Sequence, residues 1–188
     1  MNDANCFALS EAIDGSGANY NTVWGVIIGS GFGGSFVHNK KVVEGVNQVA
    51  GDWGHQPLPY PRKEEWDLNL KCPVDNCGRP LCAEQFISGI GFTKIFNKKY
   101  KTNFTTKEIV DLELNGDERA KKEFDLYEDR FARLIAVMIG IVDPDVIILG
   151  GGMSNIERLY SNIPKLLPKY TFSDKVRNKI LRNTHGDS

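Results

Sequence analysis

The amino-acid sequence predicts an α/β fold. Two short apolar runs, within 22–30 and 143–152, end in glycines, and α/β proteins bind their ligands at such strand ends. Between them, apolar residues recur at steps of three and four from Phe124 to Val142, which predicts a long helix over 117–142. A strand, a helix and a second strand in this order are typical of α/β sheets.

The other elements follow from local patterns. The first part of the chain predicts a helix over 3–13, the strand over 22–30, a hairpin over 35–45 with Asn39 and Lys40 at its tip, and a loop rich in Gly and Pro from about Gly45 to Lys71. The remainder predicts helices over 82–100, 105–116 and 117–142, a strand within 143–152, a helix over 155–170 and an edge strand over 175–187. Gly116 and Pro144 end the second and third of these helices.

Composition and charge exclude several classes of protein. The 188 residues suffice for one ordinary domain or one large lobe, and 41% of them are hydrophobic, enough for a sizeable core. With a formal net charge of −1, nothing attracts nucleic acid or an anionic membrane through charge alone. No apolar run approaches a membrane span and no signal peptide is recognisable, so a cytoplasmic location is expected.

Three cysteines, Cys72, Cys77 and Cys82, lie within the segment 71–82, and His55 precedes them. Structural disulfides are rare in a reducing cytoplasm, which favours a metal site. His55 and the three cysteines would make a tetrahedral Cys3His zinc site. Such a site would clamp the loop over about 51–84 and have a structural role. Free thiols on a flexible loop are the alternative.

Glycines follow the first predicted strand in a pattern suited to phosphate. Gly29, Ser30, Gly31, Gly33 and Gly34 stand there, and glycine lets the backbone present N–H groups while Ser30 adds a hydroxyl. A tight β-turn with no ligand explains this pattern almost as well.

Gly150, Gly151 and Gly152 follow the second predicted strand. They stand at a strand-to-helix junction of the kind that a nucleotide crosses. Close packing of a helix on the sheet is the alternative. Two such turns in one chain favour a nucleotide bound between them.

Three carboxylates are further candidates for chemistry. Asp52 and His55 stand three apart in the sequence GDWGH, so both side chains could address one pocket, and Glu84 follows Cys82 by two positions. Asp3 is the remaining carboxylate of interest, with a plain helix N-cap as its alternative.

Several motifs together resemble a known family. NDANCFALSEA, GSGFGG, GDWGH, the segment from Cys77 to Gly89, DPDVIILGGGMSN and KILRNTHGDS stand in the order found in the ROK family (repressors, open reading frames, kinases). The chain is most similar to the bacterial manno(fructo)kinases of that family, with N-acetylglucosamine kinases next, and the likeness spans essentially the whole chain. It implies the actin-like ATPase (ribonuclease H-like) fold, in which two α/β lobes enclose the active site.

The resemblance also implies an ATP-dependent hexose kinase that uses Mg²⁺. Asp3 matches the family's catalytic base, Asn2 a sugar-hydroxyl contact and Glu84 a sugar-contacting glutamate. His55 matches the histidine that reaches the sugar and also ligates zinc. Asp52 stands where the family usually has Glu, one methylene longer, which would lengthen its contact with the sugar.

The resemblance extends to the glycines, the sugar and the assembly. Gly29 to Gly34 correspond to the second phosphate loop, and Gly150 to Gly152 to the turn on the adenosine side. The sequence GHQPLPY after His55 favours fructose as the sugar. Relatives commonly form homodimers through the large lobe, and three aromatic residues would serve either that interface or the core: Phe86, Phe92 and Phe96.

Two further departures from the family pattern bear on the expected site. The usual zinc pattern is Cys-x-Cys followed by Cys, whereas here four residues separate Cys72 from Cys77, and Asp75 takes the aligned position of the first cysteine. Either Cys72 or Asp75 would therefore complete the site. The first phosphate loop, Asp-x-Gly-Gly-Thr, is missing. Residues 1–188 are expected to be one large lobe without the N-terminal phosphate-loop lobe, and not to phosphorylate a sugar by themselves.

Two other classes of function remain open. Repressors of the same family are built on this sugar lobe but often lose the phosphate loops, whereas GSGFGG and LGGGMSN are both present. A zinc-stapled interaction module would explain the cysteines but not the ordered sugar and nucleotide motifs. A sugar-sensing transcriptional regulator is therefore the main alternative to a kinase.

Overall fold

The structure is a computed structural model that describes residues 3–68, 77–173 and 175–186. Its helices are α1 (Asp3–Ile13), α2 (Lys63–Asp67), α3 (Glu84–Ile87), α4 (Gly89–Tyr100), α5 (Thr106–Leu114), α6 (Glu118–Val142) and α7 (Arg158–Leu166). Its strands are β1 (Thr22–Ile28), β2 (Phe32–His38), β3 (Lys41–Val42), β4 (Val146–Gly150) and β5 (Lys179–Arg182). These elements confirm the predicted α/β fold. Asn2, Cys72 and Asp75 lie outside the described residues.

The strands form one sheet in the order β3-β2-β1-β4-β5. β1 pairs antiparallel with β2, whereas the pairs β1–β4 and β4–β5 are parallel. Ile27 of β1 lies opposite Gly150 of β4, so both strands end at the same edge of the sheet. This carboxyl edge is where α/β proteins bind their ligands. As predicted, β5 is an edge strand.

The turn between β1 and β2 is shorter than the expected glycine loop. Only residues 29–31 connect the two strands. Gly33 and Gly34 lie inside β2, where they pair with Ile27 and Val26. The expected loop over Gly29 to Gly34 is therefore half turn and half strand, because the antiparallel register continues through the glycines.

The hairpin between β2 and β3 has its predicted tip. Asn39 and Lys40 have φ angles of 49° and 61°, the left-handed conformation that a two-residue hairpin turn of type I′ needs at both central positions. The Lys40 ammonium donates to Ala18 O at 2.5 Å and also to Ala12 O. These bonds tie the tip, which lies beside the start of β1, to the C-terminal end of α1.

α1 packs closely on one face of the sheet. A Cβ at Gly25 would lie 2.6 Å from Ala8 Cβ, and a Cβ at Gly150 would lie 2.5 Å from the Phe7 ring, so this approach requires glycine at both positions. Phe7 lies over the end of β4, whereas Ala12 contacts the hairpin tip. α1 therefore runs opposite to β1 and β4, with its N-terminus at the carboxyl edge.

The larger core lies on the opposite face and includes α6. This helix begins after Asp117, whose carboxylate accepts from the N–H groups of Arg119 and Ala120, and it ends at Asp143, whose φ is 48°. Pro144 follows, so the predicted long helix and its end are confirmed. Three residues considered for a dimer interface are buried in this core: Phe86, Phe92 and Phe96.

Some helical segments differ from the prediction. α2 forms within the loop predicted from Gly45 to Lys71, where the Glu65 carboxylate accepts from the Arg62 N–H at 2.8 Å. Ser88 divides the helix predicted over 82–100, because its backbone is extended at φ −62° and ψ 152°. The helix predicted over 155–170 begins only at Arg158 and ends at Leu166. A 3-10 turn over Gly152–Asn155 precedes it, and a second one over Leu167–Lys169 follows it. None of the described helices is both long and apolar enough to cross a membrane.

Candidate functional site

Two glycine turns open onto one cavity at the carboxyl edge of the sheet. Gly29 and Ser30 follow β1 and Gly152 follows β4, and these strands are parallel neighbours. The cavity has a volume of about 610 Å³, and its other walls include the first turns of α4 and α5. The two turns singled out in the sequence are thus brought together.

The cavity faces the N-termini of two capped helices. Ser88 caps α4 by accepting from the Gly91 N–H at 3.0 Å, and Thr105 caps α5 by accepting from the Glu108 N–H at 3.3 Å. Helix N-termini carry partial positive charge and attract phosphate groups. Lys107, in the first turn of α5, adds a full positive charge to the cavity wall. The arrangement suits a polyanion.

The glycines at this edge divide into two groups. A Cβ at Gly29 or Gly152 would meet no atom within 4 Å, so both positions face open space. Gly151 has a φ of 77°, and a Cβ there would lie 2.6 Å from Ile28 O, so the turn needs glycine for its own conformation. Gly150 lies under Phe7, which makes it a packing glycine as the alternative interpretation held.

Gly34, predicted to bind phosphate, is buried inside β2. A Cβ there would lie 2.7 Å from Gly25 O, 3.0 Å from Trp24 Nε1 and 3.3 Å from Trp53 Nε1. The structure therefore gives Gly34 a packing role between two indole rings instead of a place in a phosphate loop. Gly33 also lies in the strand, although the space next to it is open.

The sequence GDWGH runs along β2 in close backbone contact. A Cβ at Gly51 would lie 2.7 Å from Ser35 Cα, and one at Gly54 would lie only 1.9 Å from Phe32 O. Between the two glycines, Trp53 is buried with its ring 4.7 Å from that of Phe32, centroid to centroid. The glycines and the tryptophan thus hold this segment at β2.

Two predicted sugar-binding carboxylates lie at the start of β2. A Cβ at Gly33 would meet only Asp52 Oδ1 within 4 Å, at 4.0 Å, so Asp52 borders the open space there. Glu84 is buried; its N–H donates to Gly54 O at 2.8 Å, and its carboxylate accepts from the Phe32 N–H at 3.3 Å. Glu84 therefore also has a structural role at this strand.

Asp3 is exposed in the first turn of α1, whose N-terminus lies at the carboxyl edge. Two residues later, Asn5 accepts from Ser35 Oγ at 2.6 Å, and Ser35 also contacts Gly51. α1 therefore directs Asp3 to the edge that carries both the cavity and Asp52.

His55, Cys77 and Cys82 form the candidate metal centre. Their ligand atoms all lie within 4.8 Å of one another, and Cys82 Sγ is 3.5 Å from His55 Nδ1. Zn²⁺ binds nitrogen and sulfur at about 2.0–2.3 Å in tetrahedral sites. If the distances between the three ligand atoms shortened by about 1 Å, all three could bind one ion. The donor set fits Zn²⁺. The fourth ligand expected from the sequence, Cys72 or Asp75, is not among the described residues.

A short backbone pairing joins the two limbs of this loop, residues 55–60 with His55 and residues 77–83 with Cys82. The N–H of Leu58 donates to Leu81 O, and the N–H of Ala83 donates to Gln56 O, both at 2.8 Å. The pairing places the histidine and the last cysteine side by side.

Much of the cavity wall was not predicted from the sequence. Eight of its lining residues were not predicted as site residues: Gly89, Ile90, Thr106, Lys107, Val110, Met153, Asn155 and Ile156. The available signal was the cap at Thr105, since a capped helix N-terminus is a potential anion site once it faces a ligand. Which helix ends face the glycine turns depends on the tertiary fold.

Comparisons with known proteins identify the family of this chain. The sequence matches the ROK family over residues 1–188. It is 38% identical over 190 residues to the N-acetyl-D-glucosamine kinase of Photobacterium profundum, and the match covers 100% of this chain and 62% of that protein. The chain thus spans less than two thirds of the length of this relative.

Solved structures share the fold. The ROK family glucokinase from Streptomyces griseus, in complex with glucose and AMPPNP, superposes with a TM-score of 0.84 at 23% identity over 99% of this chain and 63% of that one. A ROK family transcriptional regulator, a homolog of the E. coli MLC protein, superposes with a TM-score of 0.81 at 18% identity over 97% of this chain and 47% of that one. The fold is therefore the actin-like ATPase fold of these proteins, and with the match over every residue, the chain belongs to the ROK family.

Proposed function

We propose that this chain carries the sugar- and nucleotide-binding residues of an ATP-dependent sugar kinase, as its large lobe. The cavity between the two glycine turns carries the proposal, because it opens at the sheet edge to which α1 directs Asp3 and which Asp52 borders. A nucleotide in the cavity and a sugar beside Asp52 would be neighbours along this edge. The family match over residues 1–188 supports the same reaction.

In the proposed reaction Asp3 acts as the general base. Its carboxylate accepts the proton of a sugar hydroxyl while the hydroxyl oxygen bonds to the γ-phosphorus of ATP and the bond from that phosphorus to ADP breaks. Asn2, Asp52 and Glu84 hydrogen-bond the sugar and orient it. Mg²⁺, when bound with ATP, offsets the charge on the phosphates.

The nucleotide phosphates would lie in the cavity between the turns. The open positions Gly29 and Gly152 let phosphate oxygens approach the backbone, and Ser30 can donate a hydrogen bond. The N-termini of α4 and α5, with Lys107, would attract the negative charge.

His55, Cys77 and Cys82 would hold a structural Zn²⁺ with a fourth ligand from the same loop. Bound there, the ion would crosslink the segment that carries His55 to the segment that carries the cysteines. If His55 held the metal through Nδ1, the ring nitrogen that lies 3.5 Å from Cys82 Sγ, its Nε2 would remain to donate to a sugar oxygen.

N-acetyl-D-glucosamine is the proposed sugar, in preference to fructose. Curated relatives at 38% and 40% identity are named N-acetyl-D-glucosamine kinase, whereas the resemblance to manno(fructo)kinases and the sequence GHQPLPY favoured fructose. The expected homodimer and cytoplasmic location remain parts of this proposal and are taken from the resemblance and the sequence.

Calorimetric titration of the purified chain tests the proposal. We expect N-acetyl-D-glucosamine to bind more tightly than fructose, and ADP with Mg²⁺ to bind independently of the sugar. Asp52→Ala should weaken sugar binding about tenfold or more, because a hydrogen bond to a charged group contributes about 1.5–3 kcal/mol. Its matched control is Glu118→Ala, an exposed carboxylate in the first turn of α6.

The outcomes separate the candidate functions. Binding of both ligands, with only the sugar affected by Asp52→Ala, supports a kinase lobe. Sugar binding without nucleotide binding would instead favour the sugar-sensing regulator, whose fold this chain shares. Failure of both ligands to bind at millimolar concentration would overturn the proposal.

A further inference from the structure

Three charged side chains are buried between α2 and α6. Glu65 and Arg130 are each 3% exposed and Arg133 is 1% exposed. Arg130 Nε donates to Glu65 Oε1 at 3.0 Å, and Arg133 donates to both carboxylate oxygens of Glu65. Neither arginine was singled out in the sequence, because both lie within the apolar stretch of the long helix.

Burial by itself raises the pKa of Glu65. Hydrogen bonds from the Arg133 guanidinium and the Arg62 N–H, with the positive charges of Arg133 and Arg130, more than offset this and hold the pKa below its usual 4.5. Glu65 is therefore ionised at neutral pH.

Arg133 also binds the backbone of the segment that follows His55. Its Nη1 donates to Pro59 O and to Tyr60 O, both at 2.8 Å. Tyr60 has a φ of 48°, a left-handed conformation that is strained for a residue other than glycine and persists only where the surroundings enforce it. The guanidinium thus fixes a strained turn in the limb that follows His55.

A second carboxylate, that of Asp129, connects Arg133 to residues nearer the surface. Asp129 forms an ion pair with Arg62 at 2.8 Å and with Arg133 Nε at 3.2 Å, and it accepts from the Tyr170 hydroxyl. Arg62 directly precedes α2, so the start of that helix is tied to α6 as well.

Stability alone does not account for this cluster. Replacing buried ion pairs by apolar residues of similar size is often neutral or stabilising, because the charges lose their hydration on burial. What apolar residues cannot supply is the set of directed bonds to two carbonyl oxygens and a carboxylate. The cluster is therefore suited to fixing one loop conformation.

The fixed turn lies next to the pairing that aligns the metal ligands. Pro59 follows Leu58 directly, and the bonds from Leu58 to Leu81 and from Ala83 to Gln56 set the limb of His55 against the limb of Cys82. Resting on the metal site of the proposed function, we propose that Arg133 and Glu65 are positioning residues for the metal ligands. They act through the backbone and do not contact the ion.

Zinc affinity, measured by competition with a chromophoric chelator, tests this inference. The variant Arg133→Met with Arg130→Met and Glu65→Leu replaces all three buried charges by apolar volume; we expect it to keep the wild-type circular dichroism spectrum and to bind zinc at least tenfold more weakly. The control is Arg158→Met with Glu128→Leu, which removes an ion pair between α7 and α6, 2.5 Å from Arg158 Nε to Glu128 Oε1. Its zinc affinity should stay within twofold of wild type.

A conservative variant keeps the test decisive if the first variant does not fold. Arg133→Lys retains the charge opposite Glu65 but lacks the planar fork that reaches two carbonyls and a carboxylate, so zinc should bind several-fold more weakly. Wild-type affinity in both Arg133 variants, or in Arg133→Lys alone if only it folds, would overturn the positioning role and leave the metal site standing. A wild-type chain that binds no zinc would instead overturn the metal site, and the positioning role with it.

Discussion

Gly54→Ala probes the contact that holds GDWGH against β2. A Cβ at this position would lie 1.9 Å from Phe32 O, whereas ordinary van der Waals contacts begin at 3.4 Å. Either backbone must therefore move by about 1.5 Å, and both are held, since Gly54 O accepts from the Glu84 N–H and the Phe32 N–H donates to the Glu84 carboxylate. Overpacking usually costs about 1–3 kcal/mol, and a clash between two backbones belongs at the upper end.

A loss of about 3 kcal/mol should lower the Tm by about 6–12 °C in a chain of this size. Thermal unfolding followed by circular dichroism measures this shift. Gly33→Ala is the control on the same strand, because its Cβ would meet only Asp52 Oδ1, at 4.0 Å, and its Tm should not fall. A Tm for Gly54→Ala within 2 °C of wild type would refute the reasoning, since the segment would then move at no cost.

Two further changes separate packing from ligand binding and test the buried charges. Gly34→Ala should lower the Tm because its Cβ would lie 2.7 Å from Gly25 O, whereas Gly152→Ala should keep the Tm and weaken ADP binding several-fold by placing a methyl group in the cavity; equal Tm values would contradict this division. For Glu65→Gln, the folded-state pKa of the wild-type carboxyl is lowered, so its contribution to stability is complete above about pH 4.5 and is lost as the pH falls further. In melting curves recorded over a pH series, the Tm difference between Glu65→Gln and wild type should be constant from pH 6 to 8 and shrink below pH 4.5. A difference that grows in acid would show that the pKa of Glu65 is raised, not lowered, on folding.

Local patterns in the sequence predicted the elements that depend on local physics. The apolar face from Phe124 to Val142 predicted α6, and Pro144 predicted where it stops. Asn39 and Lys40 were identified as a hairpin tip, and both adopt the left-handed conformation that such a tip needs. Side-chain periodicity and turn chemistry determine these features, and neither requires knowledge of distant neighbours.

The roles of individual glycines required the fold. Gly29, Gly34, Gly150 and Gly152 look alike in the sequence, yet two face a cavity and two are packed against aromatic rings. The difference arises from which residues lie above each position, and these come from elsewhere in the chain. α2 was not predicted for a related reason. Ion pairs between Glu65 and α6 stabilise this five-residue helix, and its sequence alone predicts a loop.

The sheet order also determines when the nucleotide cavity can exist during folding. β1 with β2, and β2 with β3, form two consecutive hairpins. By contrast, β1 can pair with β4 only when Val23 meets Val146, and the chain between these two residues is then closed into a long loop. Loop closure of this length is slow compared with hairpin formation. The turn at residues 29–31 can therefore form early, but the opposite side of the cavity, which includes Gly152, is in place only after β4 has paired with β1. A nucleotide bound between the two turns would then slow unfolding more than it speeds folding, because the pairing it bridges is among the last to form.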